Sequence, residues 1–232
     1  MKFRRWIVVI MSAVLTLLAA PMADADSSGK RLERLAIAQS QQLFEYYQGE
    51  PQPASPMFCW QAQSKDGVLL LPAASFWGGD RDFRCKVSTR SVLVDLGGYI
   101  PTEDKRYETS TYELANHEIV TFARKNLTRI CDDLLPKLTP AIATLDGVAI
   151  SGTPISTRTF SSKINRSAND ELLPFYQDSI DVGHPGRLTS CFTGFKAIVP
   201  VTAGHHILQV DLTELFGGTS TVMTYYLFVT RH

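Results

Sequence analysis

The chain of 232 residues is sparing with the signatures that announce a chemistry. Its four cysteines include no C-x-x-C pair, which removes zinc ribbons and thioredoxin-type redox motifs from consideration. No G-x-S-x-G marks a serine nucleophile, and no glycine-rich loop opens a helix after a strand to cradle phosphate. Metal-binding spacings are missing as well: there is no H-x-H, and after His117-Glu118 a threonine, Thr121, stands where a zinc-binding helix would place its second histidine. We therefore expect no metal and no cofactor. Net charge is absent too, with 23 basic against 23 acidic side chains, so nothing electrostatic favours nucleic acid or an anionic membrane. Beyond residues 6–20 no apolar run approaches the ~20 residues that span a bilayer.

What the chain does have begins at its first residues. Lys2, Arg4 and Arg5 precede an apolar run from Trp6 to Ala20, and Ala23-Asp24-Ala25 closes the segment with small residues. Basic, apolar and A-x-A segments in that order predict a secretory signal peptide, residues 1–25, cut after Ala25. The expected product is secreted or periplasmic, with no integral membrane segment once the leader is removed. An exported chain meets oxidising surroundings, so Cys59, Cys85, Cys131 and Cys191 are read as two disulfides. Three pairings are open. The reading favours Cys59 with Cys85, which flank an expected strand hairpin, and Cys131 with Cys191, which would tie down a helix.

Residues 26–50 form an expected helical arm. Ser27 offers a cap, Leu32, Leu35, Leu43, Tyr46 and Tyr47 recur at helical spacing with Ile37 off the stripe, and Gly49 and Pro51 end it. A Pro-rich linker, 51–56, leads into a β-rich domain at 57–232. Strands are expected at Val68–Leu71, before the Gly78-Gly79 break, and at Ser91–Leu96, closed by Gly97-Gly98. The stretch Ser110 to Leu138 reads as one long helix. Val120, Ala123, Leu127, Ile130, Cys131 and Leu134 lie along one stripe, Ser110 and Glu113 form a capping box, and Pro136 marks the end. Asp146-Gly147 predicts a hairpin turn, and the polar segment 152–187 predicts long loops. Three further strands close the chain. The expected fold class is mainly β (α+β): an antiparallel β-sandwich with one long internal helix and an N-terminal helical arm.

Several short motifs follow one another in a familiar order. Cys85 leads a strand, Leu145-Asp146-Gly147 sits in a hairpin, Arg158 and Phe160 follow, and Gly204 and His206 open a late strand. In this the stretch 68–212 resembles a broad group of exported bacterial β-sandwich proteins to which no activity is assigned. The group's pattern is C-x-V-P-A-G-K, L-D-G, R-x-x-S-x-x-F and P-G-x-H. This chain departs from it with Ser88-Thr89-Arg90 in place of Pro-Ala-Gly, and with Ser161 displaced relative to the arginine. The resemblance implies the sandwich and export, and supplies no catalytic residue.

Two places merit weighing as sites. In SFWGGDRDFRC, Trp77 stands beside Asp80, Arg81 and Asp82, a combination suited to stacking on a sugar ring and bonding its hydroxyls; the plainer reading is a loop whose charges are solvated. His205 and His206 adjoin at a strand start and so point to opposite faces. His206 shares the aliphatic face of Leu208, Val210 and Leu212, as a histidine bonded to a neighbouring loop would. The function expected is a non-catalytic binding or accessory protein of the cell envelope or extracellular space, with a glycan or envelope component as ligand. One alternative is a carbohydrate-active enzyme using acids such as Asp95 and Glu113 as a carboxylate pair. Another is a structural subunit that oligomerises through the helix from Ser27 to Gln48.

Overall fold

The computed structural model of the chain describes residues 22–46, 57–59, 63–72, 80–102, 109–113, 118–123, 126–163, 187–213 and 221–230. By its internal contacts the chain divides into Met1–Leu32 and Glu33–His232, the boundary falling inside helix α1, Met22–Tyr46. Everything below concerns the second unit.

Its strands are β1 (Met57–Phe58), β2 (Gln63–Lys65), β3 (Val68–Leu70), β4 (Arg81–Val87), β5 (Ser91–Tyr99), β6 (Thr109–Glu113) and β7 (Ile119–Ala123). After helix α2 (Leu127–Leu134) come β8 (Ile142–Leu145), β9 (Val148–Ile150), β10 (Thr153–Ser156), β11 (Phe160–Lys163), β12 (Arg187–Ser190), β13 (Thr193–Pro200), β14 (Gly204–Asp211) and β15 (Val222–Val229). A six-stranded sheet, β1-β4-β15-β14-β8-β9, packs against a five-stranded one, β10-β13-β5-β3-β2. The fold is thus mainly β and sandwich-like. The core lies between the sheets, where Phe83, Cys85, Leu208, Val210, Tyr225 and Leu227 of the first meet Leu69, Val92, Val94, Leu96, Ala197 and Val199 of the second. Phe83 stacks on Tyr225 at 4.9 Å, and burial pushes the Tyr225 phenol well above its ordinary pKa while its hydroxyl donates to Pro72 O at 2.7 Å.

The sheets are mixed, not antiparallel throughout. β4 pairs in parallel with β15 and with β1, and β3 pairs in parallel with β5. The reason is that β4 and β5, close in sequence, lie in different sheets; the turn at 88–90 carries the chain across, and the turn at 201–203 carries it back between β13 and β14. The two corners meet where Val201 N donates to Arg90 O.

The long internal helix is replaced by three elements. Thr109–Glu113 (β6) pairs antiparallel with Ile119–Ala123 (β7), and the helix is only Leu127–Leu134. Thr109, Thr111, Ile119, Val120 and Thr121 are β-branched and suit a pleated strand, which outweighs the apolar spacing that they share with a helix. Ser110 and Glu113 lie within strand β6, not at a helix start; Asn126 is the cap of α2, accepting Arg129 N at 3.2 Å. The helical part of the expected stripe survives, with Ile130, Cys131 and Leu134 buried and Val120 joining them from β7.

Smaller corrections follow the same logic. β5 runs through Gly97 and Gly98 to Tyr99, because Gly98 pairs with Gly194 at a bulge in β13. A Cβ on either glycine would come within 2.3 Å of a backbone oxygen, so the close approach requires the missing side chains. Segment 152–187 contains β10, β11 and the start of β12 as well as loop. The strand expected before Gly78-Gly79 lies outside the described residues. On α1 Ile37 is buried with Leu35, Ala36 and Phe44, and so are the polar Gln39, Ser40 and Gln42. The helix covers the second sheet by polar anchors: Gln39 Nε2 donates to Leu71 O at 2.7 Å, Gln41 to Ser161 O, and Arg158 N to Glu33 Oε1.

Both disulfides exist as paired above, Cys59 with Cys85 and Cys131 with Cys191. The first staples neighbouring parallel strands, β1 and β4, in place of the expected hairpin; the second ties α2 to the lead-in of β13. The Asp146-Gly147 hairpin is as expected, with positive φ at both residues (51° and 81°), the pattern of a type I′ turn.

Candidate functional site

Of the residues singled out in the sequence, Trp77 lies outside the described residues. Asp80, Arg81 and Asp82 stand at the head of β4, where they tie it to the head of β15. Asp80 Oδ1 accepts Val222 N at 2.9 Å, and Arg81 donates from Nη1 to Asp80 O. Arg81 continues the inward row of Phe83, Cys85 and Val87, and its buried Nε has no hydrogen-bond partner among the described residues. Asp82 shares the opposite, outer face with Arg84 and Lys86.

His206 is not with them. Asp82 is level with Thr224 on β15 and His206 with Leu227, three residues along and two strands across from β4 to β14, a separation of about 14 Å. His206 instead bridges two turns. Its Nδ1 lies 2.7 Å from Asp146 Oδ2 in the β8–β9 turn, and its Nε2 lies 2.9 Å from Thr202 O at the β13–β14 corner. Asp146 Oδ1 accepts Ile207 N at 2.8 Å, and Asp146 N donates to Ile207 O at 2.8 Å. The bond to Asp146 raises the His206 pKa, against a smaller opposing effect of burial; the same bond and that from Ile207 N lower the Asp146 pKa. The sequence placed His206 on the aliphatic face, and Leu208, Val210 and Leu212 there are fully buried. Its carboxylate partner, 60 residues earlier, becomes visible only through the pairing of β8 with β14.

Between these two places lies the outer face of the six-stranded sheet. Strand register lines up Lys86, Phe228 and His205 in one row, Arg84, Tyr226 and Ile207 in the next, and Asp82, Thr224, Gln209 and Thr144 in a third. Ile207 and Phe228 are 47% and 38% exposed, against near-zero for the core side of the same strands, so this face presents apolar and aromatic surface to solvent. His205 packs edge-on to Phe228 at 4.9 Å. Alternation in HHILQVDL put His205, Ile207, Gln209 and Asp211 on the non-core face; Tyr226 and Phe228 join them because β15 pairs with β14.

One polar cluster had no signal in the sequence. Lys196 Nζ, on a side chain only 1% exposed, lies 3.0 Å from Asp95 Oδ1 and 4.0 Å above the Phe192 ring. Burial lowers the Lys196 pKa, and Asp95 offsets part of that. Asp95 Oδ1 also accepts Gly97 N. Asp95, one of the acids weighed for hydrolysis, is therefore engaged on the second sheet, and the Glu113 side chain lies outside the described residues.

No family model, curated protein or solved structure matches the chain. Among the described residues no three or more His, Cys, Asp or Glu side chains are grouped to hold a metal ion, and no helix is long and apolar enough to cross a membrane.

Proposed function

We propose that the protein is exported through its first 25 residues and serves outside the cytoplasm as a non-catalytic binding or accessory module, with the outer face of the six-stranded sheet as its ligand surface and a glycan of the envelope or surroundings as its ligand. The carrying observation is the pair of rows Lys86-Phe228-His205 and Arg84-Tyr226-Ile207, which set the exposed Phe228 and His205 rings, the half-buried Tyr226 and the exposed Ile207 beside cations. Sugar rings present apolar C–H faces that pack on such rings, while their hydroxyls take hydrogen bonds from arginine, lysine and the neighbouring Gln209. The two disulfides support export, since they persist in oxidising compartments. Burial of Leu35, Ala36, Ile37 and Phe44 on α1 favours this reading over self-assembly through that helix.

The test is a glycan-array and cell-wall polysaccharide screen on the oxidised protein, repeated with Phe228→Ala, Arg84→Ala and Trp77→Ala. Loss of a stacking ring weakens binding about fivefold, in line with the ~1 kcal/mol of such contacts. Binding unchanged by both Phe228→Ala and Arg84→Ala would move the ligand off this face, and Trp77→Ala reports on the segment before β4. A screen without any binder would sink the glycan reading.

A further inference from the structure

We propose that His206 is a proton-operated latch on the corner at 201–203, holding the Thr202 carbonyl when charged and letting go of it when neutral. Both ring nitrogens face acceptors, an ionised carboxylate at 2.7 Å and a backbone carbonyl at 2.9 Å, and neither acceptor has a hydrogen to give. A neutral imidazole carries one N–H and satisfies one of them; the imidazolium satisfies both.

The geometry also says which contact fails. Asp146 offers only acceptors to the ring, so the remaining hydrogen of neutral His206 stays on Nδ1. On the other side the Thr202 hydroxyl, 3.4 Å from Nε2, is able to donate to the bare nitrogen. Deprotonation thus exchanges a bond to the Thr202 carbonyl for a longer one from its hydroxyl. The Asp146 turn stays put, being fastened also by two bonds with Ile207, from Ile207 N to Asp146 Oδ1 and from Asp146 N to Ile207 O. The corner is where the chain passes between sheets, and Val201 N holds the other crossing turn through Arg90 O.

Among the described residues Asp146 is the charged group that faces the ring. His205 on β14 points to the opposite face against Phe228, as do Lys86 and Arg84 of β4; the β15 neighbour is Leu227; and the exposed Arg90 belongs to the adjoining turn. The raised His206 pKa agrees with a charged latch. Its stabilisation is complete below about 6.5, the ordinary histidine value, and is lost as pH rises through the folded-state value. The depressed Asp146 sets the acid limit: its share is present above about 3.9 and is lost as pH falls through its folded value.

The experiment is NMR on the full oxidised domain, reading the His206 ring titration and amide exchange from pH 5 to 9. A His206 midpoint above 6.5 is expected, together with a fall of about tenfold in the protection of Val201 N–H across it, after correction for intrinsic exchange, while Ile207 N–H keeps its protection. In His206→Gln the Val201 step disappears; in Thr202→Val, which lacks the hydroxyl, it deepens. A midpoint at or below 6.5 in the wild type, or a Val201 step that persists in His206→Gln, would overturn the latch, and the first reading needs no variant to fold.

Discussion

Removing Lys196 alone should cost the fold more than removing Lys196 and Asp95 together. The ammonium and carboxylate lie 3.0 Å apart on side chains 1% and 10% exposed. At an effective dielectric of about 20 their attraction is about 5–6 kcal/mol before desolvation is counted. Withdrawing each ion from water costs several kcal/mol, and the lowered Lys196 pKa says that for the ammonium burial outweighs Asp95. Lys196→Met leaves a buried carboxylate without its counter-ion, a loss of about 3–5 kcal/mol. Adding Asp95→Asn removes that charge, and the amide oxygen still accepts Gly97 N. Methionine also keeps contact with the Phe192 ring. The double variant should therefore return to within about 1.5 kcal/mol of wild type, recovering at least about 1.5 kcal/mol of what the single variant loses. Urea unfolding followed by circular dichroism, both disulfides oxidised, reads this as the midpoint shift at constant slope. A single variant within about 1 kcal/mol of wild type, or a double variant that loses at least as much as the single, would refute the reasoning.

Other outcomes follow from the packing. Gly194→Ala places a Cβ 2.3 Å from Gly97 O, where two strands would have to part; it should lower stability by about 3 kcal/mol or leave the chain insoluble, whereas Gly147→Ala, with open space around its Cβ but positive φ, should cost about 1 kcal/mol. Replacing Cys131 and Cys191 by alanine opens a link across 60 residues and should cost about 4 kcal/mol, against about 3.5 for the 26-residue link of Cys59 with Cys85, read as the order of loss in urea midpoints. Asn126→Ala should cost about 1 kcal/mol through the lost cap of α2, with no change in β6–β7 amide protection.

How far the chain could be read without its fold is clearest strand by strand. Consecutive Val92, Leu93 and Val94 announced burial on both faces, and all three are buried. Alternation in HHILQVDL sorted His206 from His205, and Asp146-Gly147 named its own turn, because φ of either sign is a property of local residues. The stretch 109–134 misled because a β-branched hairpin and a helix share the apolar positions over a few residues, and the choice between them falls to neighbours that cover Val120 and Ile130.

The candidate sites divide along the same line. Period, turn chemistry and an even cysteine count are local or countable properties, and from them the sequence by itself determined a mainly β protein with two disulfides and its long C-terminal strands. Which strand lies beside which is settled by packing between segments far apart in the chain. Only the tertiary structure could set β4 parallel to β15, bring Asp146 to His206 and Asp95 to Lys196, and carry Arg84, Tyr226 and Ile207 into one row. Pairwise contacts across 60 or 140 residues are selected by the global minimum of buried surface and satisfied hydrogen bonds, which no window along the sequence contains.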